Sequence, residues 1–362
     1  MNARQGCGAE VRPGGECVSS GDARVSSGDA RISPGGARVS PGDARISPGD
    51  GGARPGGAPG FPLKPRHIYG ILGDRLGHSL SPAFHNLAFA RAGYPGVYCL
   101  FERQKESLPE FFRAARALPL AGLSVTIPHK EHVLPFLDRL SDRARLAGAV
   151  NTVLFAAEGV LGDNTDIAGF LSPLRDYAAK MKFPDEALVL GAGGAARAVL
   201  AGLLELGFAK VSVAARRPEK ARELLAALPW EKTTRIFALA WEDRVSALSG
   251  REGVLVVNAT PLGMQGVHPG ANPLPDEAFA LLCRKEGENL AGADKAAPSL
   301  VYDLVYAPRL TPFLAAARER GLACLDGTGF FVAQAAAQFC LWTGLELSLA
   351  DAGRILEEYG IK

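Results

Sequence analysis

The chain has 362 residues, of which 47% are hydrophobic, and its 40 Lys and Arg nearly balance its 38 Asp and Glu, leaving a formal net charge of +2. This length and composition predict a soluble, globular protein of about two domains. The balanced charge argues against nucleic acid or an anionic membrane as partner, and every apolar run is shorter than the ~18 residues of a membrane span.

A seven-residue unit repeats over residues 18–50, beginning with Val18-Ser-Ser-Gly-Asp-Ala-Arg24. Each unit contains Gly, several contain Pro and only one position is apolar, so the period of seven does not predict a coiled coil. We predict that residues 1–62 are a disordered, low-complexity tail. A misassigned start codon, an expanded coding repeat and a targeting or partner-binding segment are all open explanations for it.

Short apolar strands alternate with helix-like stretches from His67 onward, which predicts an α/β fold. In the first domain, assigned to residues 63–166, strands are predicted over 67–72, 96–101, 122–127 and 149–155, and helices over 82–92 and 108–118 and from 132–137.

The second domain, assigned to residues 167–325, has the pattern of a doubly wound parallel sheet. Its predicted strands cover 187–190, 211–215, 254–258 and 301–304, with helices following the first strand through 206 and over 218–228. The C-terminal segment 326–362 is predicted to contain a helix around 332–342 that returns to the first domain.

A glycine-rich turn follows the strand at 187–190, with the sequence Gly191-Ala192-Gly193-Gly194-Ala195-Ala196. Gly191 permits a tight turn, Gly193 lets the backbone approach a pyrophosphate, and the helix N-terminus offers unpaired N–H groups. An ordinary strand-to-helix turn is the alternative. The flanking strand and helix favour a Rossmann-type dinucleotide site.

The cofactor type is predicted from the end of the next strand. Domains that bind NAD usually place Asp or Glu there for the ribose 2′-hydroxyl, whereas this chain has Arg216 and Arg217 after Ala215. Guanidinium groups bind a 2′-phosphate through charge-assisted hydrogen bonds, so NADP is the predicted cofactor. The alternative is a solvated basic pair.

Four polar segments lie at strand ends or in loops of the first domain, at 77–82, 124–130, 148–152 and 162–166. Alone, each has a structural explanation: Ser81 is a good helix N-cap before Pro82, and 164–166 suits a polar turn. Together their hydroxyls, amides, lysine and carboxylate suit a polyhydroxylated carboxylic acid as ligand.

Over residues 67–362 the chain resembles the shikimate dehydrogenase family. The matching segments are Ser79-x-Ser81-Pro82, Val125-Thr126-Ile127-Pro128-His129-Lys130, Gly148-Ala149-Val150-Asn151-Thr152, Gly162-Asp163-Asn164-Thr165-Asp166, Asn258-Ala259-Thr260-Pro261-Leu262-Gly263-Met264, Asp303-Leu304-Val305-Tyr306 and Gln334-Ala335-Ala336.

The resemblance implies the reversible, NADP-dependent reduction of 3-dehydroshikimate to shikimate in aromatic amino acid biosynthesis. It implies a catalytic pair, Lys130 and Asp166, because an alkoxide forming at the keto oxygen needs a proton and a nearby positive charge. Whether Lys130 transfers the proton or mainly stabilises charge and positions substrate is open at this stage. The implied substrate-binding residues are Ser79, Ser81, Thr126, Asn151, Tyr306 and Gln334.

The resemblance also assigns cofactor contacts beyond the glycine-rich turn. Met264 alone would suit a hydrophobic core, and Ile167 departs from the family's glycine in a way expected to narrow the site or shift Asp166. Other departures are Arg75, Ala215, Ala307 and Phe330. The implied cofactor-binding residues are Gly191, Ala192, Gly193, Gly194, Ala195, Ala215, Arg216, Arg217, Asn258, Thr260, Met264 and Gly327.

No metal site is predicted, since His129 and His132 lack a third ligand at suitable spacing. The six scattered cysteines suit reduced thiols, and the N-terminus lacks the layout of a secretory signal, so a cytoplasmic location is expected. A homodimer is open. Three rival hypotheses are a quinate-oxidising relative that uses NAD, a non-catalytic NADP sensor, and an interaction protein that acts through its tail.

Overall fold

The computed structural model describes residues 65–77, 79–251, 253–283 and 297–358. The predicted tail therefore lies outside the described residues, as does His78 in the first polar segment. The described chain forms two six-stranded sheets, one in each half. Over the same residues, no helix is both long and apolar enough to cross a membrane.

The first sheet is mixed. Its order is β2-β1-β3-β5-β6-β4, with β5 antiparallel to both of its neighbours. The strands are β1 (His67–Gly73), β2 (Gly96–Glu102), β3 (Leu120–Val125), β4 (Arg139–Leu140), β5 (Thr152–Ala156) and β6 (Gly159–Asp163). The helices of this half are α1 (Ser81–Arg91), α2 (Leu108–Ala115) and α3 (Asp142–Ala147).

The second sheet is parallel throughout and doubly wound, as predicted, with the order β12-β11-β10-β7-β8-β9. Helices cover both faces, which is why the central strands are continuous apolar runs. The strands are β7 (Glu186–Leu190), β8 (Lys210–Ala215), β9 (Arg235–Ala240), β10 (Leu255–Asn258), β11 (Leu300–Asp303) and β12 (Ala323–Leu325). The helices are α5 (Gly194–Glu205), α6 (Pro218–Ala226), α7 (Asp276–Leu282) and α8 (Pro312–Glu319).

Two further helices, α4 (Asp166–Ala178) and α9 (Gly327–Thr343), connect the halves, and the last helix, α10 (Leu349–Glu358), packs on α1 and α9. Helix α4 packs so closely on α9 that a Cβ at Gly169 of α4 would lie only 2.8 Å from the carbonyl oxygen of Phe330 in α9. The other end of α9 places Phe339 and Trp342 in one core cluster with Tyr69 of β1. The prediction that the C-terminal helix returns to the first domain is thereby confirmed.

One predicted helix is wrong. Residues 132–137 form turns and a short 3₁₀ helix, Leu134–Phe136, before the chain becomes extended at Leu137. The apolar spacing suggested an α-helix, but Pro135 would be its fourth residue, where it has no N–H to donate to the Glu131 carbonyl and its ring clashes with that carbonyl. The strand predicted over 149–155 begins only at Thr152.

Candidate active site

Lys130 and Asp166 meet where the two halves join. Lys130 lies in the turns after β3, and Asp166 is the first residue of α4. The Lys130 ammonium donates a hydrogen bond to the Asp166 carboxylate, and their side chains are only 13% and 3% exposed. The structure thus brings together the two residues predicted to form the catalytic pair.

Asn151 holds the carboxylate of this pair. Its Nδ2 donates to Oδ1 of Asp166 at 2.7 Å and to Oγ1 of Thr165 at 2.9 Å. Its Oδ1 accepts from the Thr165 amide at 2.7 Å and from the Thr152 hydroxyl at 2.8 Å. With one Asp166 oxygen fixed by Asn151, the other is directed at Lys130.

A buried polar chain behind Asn151 was not predicted from the sequence. Gln338 Nε2 donates to the Asn151 carbonyl at 3.2 Å and to the Thr152 hydroxyl at 3.0 Å, while its Oε1 accepts from Ser124 Oγ at 2.9 Å. Tyr98 in turn donates to Ser124 at 2.6 Å. The available signal was the position of Gln338 one helical turn after Gln334, on the same side of α9.

The serine segment precedes and begins α1. Ser79 Oγ accepts the Ser81 amide at 3.3 Å, and the N-cap is Leu80, so the alternative that Ser81 caps the helix is wrong. Ser81 is 8% exposed and Ser79 half-buried. Thr126, at the end of β3, is half-buried and donates its amide to the Leu72 carbonyl at 3.0 Å.

Tyr306 follows β11 in the second half, and Gln334 lies in α9. The Tyr306 ring lies 4.6 Å from that of Phe331 between centroids, and burial raises the pKa of Tyr306 to about 12, against the opposing effect of a backbone hydrogen bond at Leu80. That contact places Tyr306 beside the serine segment. Gln334 is 9% exposed and donates to the Phe331 carbonyl at 3.1 Å.

The glycine-rich turn has the shape that a dinucleotide phosphate requires. Gly191 has a φ of +108°, and a Cβ there would lie 2.9 Å from Cγ2 of Thr260, so only glycine fits. Gly193 is the N-cap of α5, with no side-chain cap and open space around it. The first N–H groups of α5 are therefore available to an anion.

The arginine pair lies at the carboxyl end of β8. Ala215 is buried as the last strand residue, whereas Arg216 and Arg217 are exposed just before α6. Neither guanidinium pairs with a carboxylate within the described ranges. Two cations without such a partner, beside a turn whose shape suits a phosphate, fit NADP, whose adenosine ribose carries a 2′-phosphate.

The loop after β10 is organised by Asn258, which is fully buried. Its Nδ2 donates to Oδ1 of Asp303 at 2.9 Å and to the Leu262 carbonyl at 3.1 Å, and its Oδ1 accepts the Thr260 amide at 3.0 Å. Asp303 also accepts the Thr311 hydroxyl at 2.6 Å, and burial raises its pKa to about 6. The Asn258 side chain thus shapes the loop that faces Gly191.

The remaining predicted positions differ in their surroundings. Met264 is half-buried in the loop after β10, and Gly327 begins α9, where a Cβ would lie 2.4 Å from the Val305 carbonyl oxygen. Ile167 is 2% exposed and belongs to the hydrophobic core of the second half. The expectation that Ile167 narrows the site is therefore wrong, because the first turn of α4 directs its side chain into that core.

A mixed α/β half joined to a doubly wound nucleotide-binding half, with a lysine and a carboxylate at the junction, defines a two-domain dehydrogenase. Residues 71–153 match the family model for the shikimate dehydrogenase substrate binding domain. The chain is 42% identical over 297 residues to the shikimate dehydrogenase (NADP(+)) of Oleidesulfovibrio alaskensis, covering 82% of this chain and 97% of that protein.

Solved structures of shikimate and quinate dehydrogenases are similar to this chain. Shikimate 5-dehydrogenase from Thermus thermophilus, in complex with NADP(H) and shikimate, has a TM-score of 0.64 at 33% identity, covering 80% of this chain and 98% of that chain. Quinate dehydrogenase from Corynebacterium glutamicum, in complex with NAD, has a TM-score of 0.67 at 30% identity, covering 80% and 98%. The chain belongs to the shikimate dehydrogenase family.

Proposed function

We propose that the chain is an NADP-dependent shikimate dehydrogenase that reversibly reduces 3-dehydroshikimate to shikimate in aromatic amino acid biosynthesis. The observation that carries the proposal is the position of Lys130. Its ammonium pairs with Asp166, while its side-chain carbons lie about 3 Å from where a Cβ of Gly194 would stand. A proton donor thus adjoins the turn that suits the cofactor.

In this mechanism NADPH, when bound, supplies the hydride. Lys130 donates a proton to the keto oxygen as negative charge develops there, and the charge of its ammonium stabilises that oxygen meanwhile. Asp166 keeps the ammonium directed through their hydrogen bond. Asn151 holds Asp166 through the 2.7 Å hydrogen bond, so the donor is already oriented before substrate binds.

We assign the substrate-binding residues from the family resemblance. Ser79 and Ser81 bind the carboxylate beside Tyr306, and the hydroxyls are bound by Thr126, Asn151 and Gln334. Support for the grouping comes from the Tyr306 contact at Leu80, between the two serines. A half-buried site of hydroxyls and amides suits a polyhydroxylated acid, because each lost hydrogen bond penalises an analogue.

Oxidation of quinate with NAD is the second candidate, favoured by the likeness to quinate dehydrogenase. The unpaired Arg216 and Arg217 favour NADP instead, since a guanidinium gains far more from a 2′-phosphate than from a hydroxyl. The proposal therefore pairs shikimate with NADP.

The test is a nicotinamide-absorbance assay of the purified full chain with shikimate or quinate against NADP or NAD, in all four pairings. Turnover mainly with shikimate and NADP supports the proposal, and preference for quinate and NAD supports the second candidate. Folded chain that binds NADP but turns over neither acid would overturn both and favour a sensor. Lys130→Met is the control, because turnover close to that of wild type in it would indicate a contaminating enzyme.

A cytoplasmic location and a homodimer belong to the proposal as well. The location is supported by scattered cysteines, of which Cys99, Cys283 and Cys324 are free thiols. Light scattering coupled to size-exclusion chromatography would test the dimer.

A further inference from the structure

One carboxylate of the first half bonds two helices of the second. Glu131 follows Lys130 directly in the chain, and its Oε2 accepts Arg197 of α5 at 2.9 Å. Its Oε1 accepts Lys220 of α6 at 3.4 Å. Through these two ion pairs, Glu131 links the segment that carries Lys130 to α5 and α6, the two helices that flank the proposed nucleotide site.

The first branch, through Arg197, fixes the lysine segment. Arg197 also donates to the Ala147 carbonyl at 3.3 Å, and Gly148 leaves it room, since a Cβ there would lie 2.9 Å from Nη1. The side chains of Arg197 and Glu131 are 18% and 29% exposed, so the pair is partly shielded from solvent. Holding Glu131 therefore holds the backbone that carries Lys130 against Gly194.

The second branch, through Lys220, concerns the cofactor. Lys220 lies in the first turn of α6, and its amide donates to the Arg217 carbonyl at 3.1 Å. Its backbone is thus within one helical turn of the exposed arginine pair. Burial opposes ionisation of Glu131, but Arg197 and Lys220 outweigh it and lower its pKa, so the carboxylate is charged at neutral pH.

We propose that Glu131 is a positioning residue with two opposed effects. Through Arg197 it places Lys130 for the reaction, and through Lys220 it neutralises positive charge that would otherwise act on the 2′-phosphate of NADP. The inference rests on the proposed function. It predicts that removing the Glu131 charge slows turnover and yet strengthens NADP binding, a combination that general structural damage does not produce.

The experiment measures the Kd of NADP and of NAD by calorimetric titration, and kcat by absorbance, in the full chain. In Glu131→Gln the Kd of NADP falls about twofold to fivefold, the range for one partly exposed ion pair, while the Kd of NAD is unchanged. The kcat falls about tenfold or more, as expected for a displaced catalytic group. In Arg197→Met only the first branch is lost, so kcat falls without tighter NADP binding.

Glu186→Gln is the matched control. Glu186 is 24% exposed and pairs with Lys210 at 3.1 Å, but at the amino end of β7, away from the glycine-rich turn. We expect no change in either Kd or in kcat. If Glu131→Gln does not fold, as judged by thermal unfolding, Glu131→Asp replaces it, because the shorter side chain weakens both ion pairs and the same two changes are expected at smaller size.

The inference is overturned if NADP and NAD shift together, if NADP binding does not strengthen, if kcat is unchanged, or if Glu186→Gln behaves like Glu131→Gln. Failure of the proposed function has a different signature. Wild-type chain would then turn over no shikimate, whereas the two titrations would still report whether Glu131 opposes binding of the 2′-phosphate.

Discussion

The junction of the two halves makes Asp166→Asn the most informative substitution. The amide keeps the size of the carboxylate and removes its charge. Asn151 donates to one oxygen at 2.7 Å, and Lys130 donates to the other. An amide that still accepts from Asn151 must turn its own N–H groups toward the ammonium, so a donor faces a donor and Lys130 loses its counter-charge.

The expected magnitude follows from burial. Removing one partner of a fully buried ion pair costs about 3–5 kcal/mol. Because the Lys130 side chain is 13% exposed, some solvent reaches the remaining charge, and we expect a loss of about 2–3 kcal/mol in the free energy of unfolding. We also expect kcat to fall ~10²-fold or more. The double variant Lys130→Met, Asp166→Asn has neither charge. We therefore expect its loss of unfolding free energy, and its loss of kcat expressed as a free energy, each to be smaller than the sum of the losses in the two single variants.

Urea unfolding and steady-state kinetics of the two single variants and the double variant measure this coupling. Glu205→Gln is the control on stability, because it breaks an exposed pair between Arg175 of α4 and Glu205 of α5 whose side chains are 42% and 50% exposed. That change is expected to cost less than about 1 kcal/mol. Strictly additive losses for Lys130 and Asp166, or near-normal kcat in Asp166→Asn, would refute the assignment of a catalytic pair.

Three further predictions use other parts of the molecule. Arg216→Ala raises the Kd of NADP about tenfold to a hundredfold, the worth of a charge-assisted hydrogen bond, with little effect on NAD. Asp303→Asn removes a pH dependence of the free energy of unfolding. The pKa of Asp303 is about 6 in the folded state against the ordinary value of 3.8, so between these values the native state binds a proton that the unfolded state does not. As pH rises from about 4 to about 7, wild type therefore loses about 3 kcal/mol of unfolding free energy relative to the variant. Gln338→Leu leaves the Asn151 carbonyl and Thr152 hydroxyl without this donor, which costs about 1–3 kcal/mol of unfolding free energy and raises the KM of the acid substrate.

Each of these has a contrary outcome that is easy to recognise. Equal losses of NADP and NAD binding in Arg216→Ala would remove the role given to that guanidinium. A wild-type and Asp303→Asn difference that stays flat across the pH series, measured by urea unfolding, would contradict the raised pKa. A Gln338→Leu variant in which NADP affinity and substrate KM change equally would place Gln338 in general packing.

The elements that were predictable from the sequence are those whose signal is local. Strand β7 was expected over 187–190 and is Glu186–Leu190, because strands buried on both faces are continuous apolar runs. Edge strand β9 was missed, since Ile236 and Phe237 are 40% and 42% exposed and its pattern is that of a surface segment. Strand β6 was missed because its residues Gly162 and Asp163 were interpreted as part of a polar loop.

The site residues that were predictable from the sequence are likewise those with a local signal. Lys130 and Asp166 could be chosen because each lies in a short segment with recognisable neighbours. Gln338 had only its helical spacing from Gln334 as a signal, because its partners Asn151 and Thr152 are 187 and 186 residues away and meet it only when α9 returns to the first sheet. Glu131 was missed for a related reason, since a charged residue beside a lysine has no pattern that predicts which half its partners belong to.

Gly194 of the second half lies against the side chain of Lys130 from the first half, so its lack of a Cβ matters to both. It is not one of the three residues that define the glycine-rich motif, which are Gly191, Gly193 and Ala196. A Cβ at Gly194 would lie 3.0 Å from Cβ and 3.1 Å from Cδ of Lys130. An alanine there would push the lysine stem away from the turn, so the glycine serves the approach of the lysine. The turn must therefore accommodate a side chain of the other half as well as the phosphates that we propose it binds, which explains why it carries a glycine that phosphate binding alone does not require.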